Sequence, residues 1–94
     1  MNKVTLSGHI LVPPDDLQQI REALPAHIAN TCAETGCILF KVEENSTETG
    51  RFDVYEEFDS REAYEEHQRR VRESDWGQIS SNVTRHYTVD GLDA

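Results

Sequence analysis

The chain has 94 residues, with 18 Asp plus Glu against 9 Lys plus Arg, a formal net charge of −9 and a sequence pI near 4.7. That balance repels duplex nucleic acid and anionic membrane, so neither is expected as a partner. A domain this short buries only about two-thirds of the surface its unfolded chain exposes, so its own core is modest.

Mean hydropathy is low at −0.68, yet the apolar residues are periodic rather than scattered, which argues for a folded chain. No apolar run is long enough to span a bilayer, and the start lacks the basic and long apolar regions of a signal peptide. The expectation is one cytoplasmic domain over residues 1–94, with a short tail at 90–94. Cys32 and Cys37 are too few for a disulfide framework. His27-x4-Cys32-x4-Cys37 is regular in spacing but crosses from a helix into a strand and falls short of a ligand set, so no metal is expected.

Residues 3–12 alternate with period two, placing Val4, Leu6, Gly8, Ile10 and Val12 on one face and Thr5, Ser7, His9 and Leu11 on the other. Pro13-Pro14 ends this first strand. Asp15 followed by Gln18 has capping-box spacing, and Leu17, Ile20, Leu24 and Ile28 then follow a helical period, which predicts a helix over 15–33. Pro25 falls inside it, predicting a kink or two helical pieces on one apolar stripe. Gly36 suits the left-handed position after the helix end.

A second strand is predicted from Cys37 to about Glu44, with Ile38, Phe40 and Val42 on one face and Cys37, Leu39 and Lys41 on the other. Asn45 to Gly50 is a polar turn, making 37–58 a hairpin. The third strand, Arg51 to Phe58, carries Phe52, Val54, Glu56 and Phe58 on one side, so Glu56 is the one charge on an apolar face. Asp59 or Ser60 caps a second helix whose inner side holds Ala63 or Tyr64, His67 and Val71. Its many charges form a solvated face. Ser74 to Ile79 reads as a further helical turn with Trp76 and Ile79 inward, and Val83 to Val89 as the fourth strand.

The order β-α-β-β-α-β predicts an α+β, ferredoxin-like domain: a four-stranded antiparallel sheet with its helices on one face. The other face carries Leu11, Leu39, Tyr55 and, on this reading, Tyr87. That is much apolar surface for a small monomer, and a second copy packed sheet to sheet would cover it, so a homodimer is expected.

Glu34-x-Gly36-Cys37-x-x-Phe40, then Arg51-Phe52-x-Val54-Tyr55-Glu56-x-Phe58-x-Ser60-x-x-Ala63-x-x-x-His67, resembles the antibiotic-biosynthesis monooxygenase family, and within it the small quinol-monooxygenase-like proteins. The resemblance implies a dimeric α/β-barrel with a pocket between helices and sheet in each subunit. It also implies cofactor-free oxidation of a small quinol or phenolic compound by O2. After His67 the chain departs from a common pattern: Asp75-Trp76 stands where relatives often have a second histidine and an aromatic. Haem-degrading relatives of the barrel have an Asn, Trp, His triad. Here the first strand offers Ser7 and His9, so haem is not expected.

Such chemistry needs a base, a dry apolar slot and a donor for developing charge. His67 is the candidate base, with Glu56 to orient its ring or favour its charged form. The bland alternative is a buried histidine braced by a carboxylate. Trp76, Phe40, Phe52, Val54 and Phe58 are candidate substrate contacts, each equally readable as core. His9 is a further candidate, although its strand parity puts it on the dimer side unless the register reverses. Of Arg85 and His86 only one can face the pocket. A non-catalytic dimeric binding module and an isomerase of a small carbonyl metabolite remain open readings of the same residues.

Overall fold

The computed structural model describes residues 3–92. Four strands, β1 (Val4–Leu11), β2 (Cys37–Glu44), β3 (Arg51–Phe58) and β4 (Thr84–Asp90), pair antiparallel in the order β2-β3-β1-β4. Three helices, α1 (Leu17–Cys32), α2 (Arg61–Glu73) and α3 (Asp75–Ile79), complete an α+β, ferredoxin-like fold. Leu6, Ile10, Phe52 and Val54 of the sheet share one core cluster with Ile20 and Leu24 of α1, and Trp76 and Ile79 of α3 pack against it. The inner face of the sheet is therefore the helix-covered one.

Pro13 and Pro14 alter the start of α1. Residues Pro14–Asp16 form a 3-10 turn closed by Asp16 N–H donating to the Pro13 carbonyl at 3.0 Å, and α1 begins at Leu17 without a side-chain cap. The capping box expected from Asp15 and Gln18 does not form, because Gln18 donates instead to Glu22 at 2.9 Å. The helix then runs through Pro25 as one element rather than two pieces. Buried residues on both sides of the proline, Ile20 and Leu24 before it and His27 and Thr31 after it, hold one face against the core. Ser60 and Ser74 cap α2 and α3 by accepting from Ala63 N–H at 3.1 Å and Gly77 N–H at 3.3 Å.

Gly36 has φ 92°, and a Cβ there would meet the Ala63 side chain at 2.6 Å. The glycine thus lets the α1–β2 turn press against the first turn of α2. Just beyond it, the β2–β3 register shifts between Cys37 and Leu39. Ile38 is the extra residue of this bulge and is 53% exposed, not aligned with Phe40 and Val42 as the simple alternation predicts. Cys37 consequently pairs with Phe58, on the inner side, and burial pushes its thiol up to about 11.

The expected boundaries of β4 shift by one residue. Val83 is buried just before the strand, which starts at Thr84. Pairing with β1 sets Tyr87 opposite Gly8 and Arg85 opposite Ile10, so both belong to the inner face. This corrects the placement of Tyr87 in the outer layer. The outer face exposes Leu11 at 37%, Leu39 at 38% and Tyr55 at 36%, among polar neighbours. Of the C-terminal tail, the Leu92 carbonyl accepts from Arg61 Nη1 at 3.2 Å, and residues 93–94 lie outside the described residues.

Candidate functional site

Glu56 lies mid-sheet on β3, with Leu6 of β1 and Phe40 of β2 as its cross-strand partners. It is 5% exposed, and its Oε1 has no hydrogen-bond partner among the described residues. Burial, and after it the charge of Glu34, raises its carboxyl to about 7. A substantial share of Glu56 is thus a neutral acid near neutral pH, able to donate its proton or to take one up.

His67 reaches down from α2 and is 3% exposed. Its Nδ1–H donates to Glu34 Oε1 at 3.0 Å and Oε2 at 3.2 Å. Glu34 also accepts from Arg70 Nε, and Arg70 Nη2 donates to Thr31 Oγ1 at 3.2 Å. A carboxylate only accepts, so the proton of the neutral ring sits on Nδ1 and the Nε2 lone pair is left facing inward. Burial lowers the pKa of His67, against an upward pull from Glu34.

Nε2 lies 3.9 Å from Glu56 Oε1, too far for a hydrogen bond. Glu56 thus makes no hydrogen bond to the ring, and the carboxylate that does is Glu34, a loop residue that neither alternation nor helical period singles out.

Both groups face a cavity of about 550 Å³ between sheet and helices. Leu6, Ile10, Phe40, Val42 and Val54 supply apolar sheet wall, and Gln68, Val71 and Arg72 of α2 the opposite side. His27, Trp76, Gly77, Arg85 and Tyr87 complete the lining. Of the expected substrate contacts, Phe40, Val54 and Trp76 therefore join Glu56 and His67 at this cavity. Phe52 and Phe58 do not line it. They are 2% and 0% exposed, and Phe58 packs its ring 5.0 Å from that of His67. His9 is on the outer face, stacked on His86 at 4.8 Å.

His27 is the main addition. Its ring stacks on Trp76 at 4.4 Å with 6° between planes, and meets Phe40 edge-on at 5.4 Å. Burial, helped by His67, Arg70 and Arg85, lowers its pKa to about 3, so it is neutral. The signal was present in the 4-3-4 spacing of Ile20, Leu24, His27 and Thr31, the buried stripe of α1. Tyr87 was misplaced because strand parity within β4 means nothing until Gly8 fixes which side is which. Tyr87 is 37% exposed as a whole, but desolvation of its phenol, with Glu56 adding to it, pushes that group up to about 12, so it remains a donor.

Among the described residues no group of three or more His, Cys, Asp or Glu side chains is placed to hold a metal ion. No helix among them is long and apolar enough to cross a membrane.

The search of curated proteins returned no match. Among solved structures, MupZ from Pseudomonas fluorescens is similar over 99% of this chain and 71% of its own, with TM-score 0.79 and 17% identity. A Nitrosomonas europaea protein described as a candidate antibiotic biosynthesis monooxygenase aligns over 98% of this chain and 99% of its own, with TM-score 0.76 and 19% identity. Rv0793 from Mycobacterium tuberculosis aligns over 98% and 97%, with TM-score 0.72 and 27% identity. The family model described as antibiotic biosynthesis monooxygenase matches residues 4–75, which hold β1 through α2 and with them Glu34, Glu56 and His67. The chain belongs to the antibiotic biosynthesis monooxygenase family.

Proposed function

We propose that the protein is a cofactor-independent monooxygenase that oxidises a small quinol or phenolic compound with O2. The observation that carries this reading is the pairing, at one cavity, of a neutral His67 Nε2 with the unpartnered carboxyl of Glu56. His67 takes the proton of a phenolic hydroxyl, and the imidazolium formed is held by Glu34 through Nδ1. The substrate anion is electron-rich enough to pass an electron to O2. Recombination of the resulting pair at ring carbon and loss of water turn a quinol plus O2 into a hydroxyquinone plus H2O. Protonated Glu56 donates to the peroxide oxygen that leaves as water, while Leu6, Ile10, Phe40, Val42 and Val54 offer the ring an apolar face.

The protein is further proposed to act as a homodimer in which Leu11, Leu39 and Tyr55 of the two outer sheet faces meet, as their exposure favours.

O2 uptake with a panel of hydroquinones, wild type against His67→Ala, tests the chemistry. A loss of about 100-fold or more is expected for the variant, and equal rates would remove His67 from the mechanism. Product formed under strict anaerobiosis would instead mark an isomerase using the same pair. A ligand-induced rise in Tm with no turnover would mark a binding module.

A further inference from the structure

The chain has nine Lys and Arg residues, and carboxylates are abundant enough to pair with nearly all of them. Lys3, Arg21, Lys41, Arg51, Arg61, Arg69 and Arg70 are each ion-paired. Arg72 and Arg85 form no ion pair among the described residues, and both line the cavity that holds Glu56 and His67. In a protein of net charge −9, both of these exposed arginines are left without a carboxylate at one concave site, where an incoming anion can reach them.

Arg85 is exposed but anchored at one end. Its Nη2 donates to Ser80 Oγ at 3.0 Å, and Ser80 is fully buried, its own hydroxyl donating to the Trp76 carbonyl at 2.6 Å. Arg85 shares the inner face of β4 with Tyr87, whose phenol adds a neutral donor to the same lining. The one carboxyl group of the lining, Glu56, is set between Leu6 and Phe40 and bonds to neither arginine.

We propose that Arg72 and Arg85 form an anion subsite of this cavity, and that its substrate is accordingly a hydroxylated aromatic acid bearing a carboxylate or phosphate. The inference rests on reading the cavity as the substrate site, but not on the use of O2. A guanidinium bonds either anion in a charge-assisted, forked geometry. The anion would anchor one end of the ring while the reacting hydroxyl meets His67.

Trp76 is the only tryptophan and lines the cavity, so its fluorescence reports occupancy directly. The probes are 2,5-dihydroxybenzoate, its methyl ester, 4-hydroxyphenyl phosphate and hydroquinone. Wild type is expected to bind at least one of the two anions about tenfold or more tighter than its neutral counterpart, which also says which anion is preferred. In Arg72→Gln and Arg85→Gln that gap should shrink to about twofold, while Arg61→Gln, outside the cavity and ion-paired to Glu65, keeps it. Should Arg85→Gln unfold, Arg85→Lys serves, with reduced but retained preference. Equal affinity for anions and neutral counterparts, or a gap that survives both glutamine variants, overturns the subsite. O2 uptake on the same samples separates the two readings: anion preference without uptake sinks the oxidation alone, and uptake without preference sinks the subsite alone.

Discussion

Glu34 and Glu56 address opposite nitrogens of one imidazole: Glu34 accepts from His67 Nδ1 at 3.0 Å, while Glu56 stands 3.9 Å from Nε2. The two carboxyl groups are kept chemically distinct by their surroundings. Glu34 is tied to Arg70, whereas Glu56 has only apolar strand neighbours and is raised to about 7. Carboxyl groups in such different surroundings take different parts in proton transfer.

The pH–rate profile should therefore be bell-shaped. Its acid limb falls below the ordinary histidine value, because burial lowers the pKa of His67. Its basic limb falls near 7, where Glu56 loses the proton it donates. Glu56→Gln has no proton to give, so the rate should fall by about 100-fold or more at all pH values and the basic limb should disappear from what remains. An unchanged basic limb in that variant would show that Glu56 is not the titrating donor.

In the proposed mechanism Glu34 acts through His67 rather than on substrate. Its charge raises the histidine's pKa against burial, so Glu34→Gln should shift the acid limb further down and lower kcat by about tenfold or more with little change in KM. Glu34→Ala should also destabilise the fold by about 1–3 kcal/mol, since it strips buried His67 of its partner. Chemical denaturation reads the second effect. A kcat loss with no movement of the acid limb would reduce Glu34 to a brace.

Stability should tilt with pH in opposite directions when Glu56 and His27 are replaced. The Glu56 carboxyl is raised from 4.5 to about 7, so its stabilising contribution is full below the unfolded value and lost as pH rises through the folded one. Relative to wild type, Glu56→Gln should gain on the order of 3 kcal/mol between pH 4 and 8. His27 is lowered from 6.5 to about 3, so its contribution is present above the unfolded value and lost as pH falls. His27→Phe, which keeps an aromatic against Trp76, should gain on wild type as the solution is acidified. Urea titrations at several pH values would refute the assignment if both variants tilted the same way.

The dimer has a direct test. Leu39→Glu or Tyr55→Glu places a charge at the proposed sheet-to-sheet contact and should give a monomer by sedimentation equilibrium at micromolar concentration. An unaltered mass for both variants would move the interface elsewhere.

Most of the fold was legible because period-two and helical spacing report burial directly. Phe52, Val54, Glu56 and Phe58 face inward as alternation predicts, and Ser60 caps α2 as its position suggests. The failures are of one physical kind. Alternation cannot reveal a bulge, so Ile38 and Cys37 were exchanged between faces, and parity alone cannot orient β4, so Tyr87 was put outside. The site was half legible. Glu56 stood out as a charge on an apolar face and His67 as an inward histidine, but Glu34 sits in a loop with no period to mark it. His27 was hidden because a polar residue on a buried stripe reads as a gap in the pattern.

The bulge at Ile38 has a bearing beyond which side chain faces where. β2 is an edge strand, and Cys37 to Val42 includes the run Ile38, Leu39 and Phe40, a β-prone stretch of the kind that templates pairing with other chains. An extra residue there interrupts the regular row of edge donors and acceptors, and Lys41, Glu43 and Glu44 charge the remainder of the strand. The same irregularity that took Ile38 out of the core thus guards the open edge of the sheet against strand-by-strand aggregation.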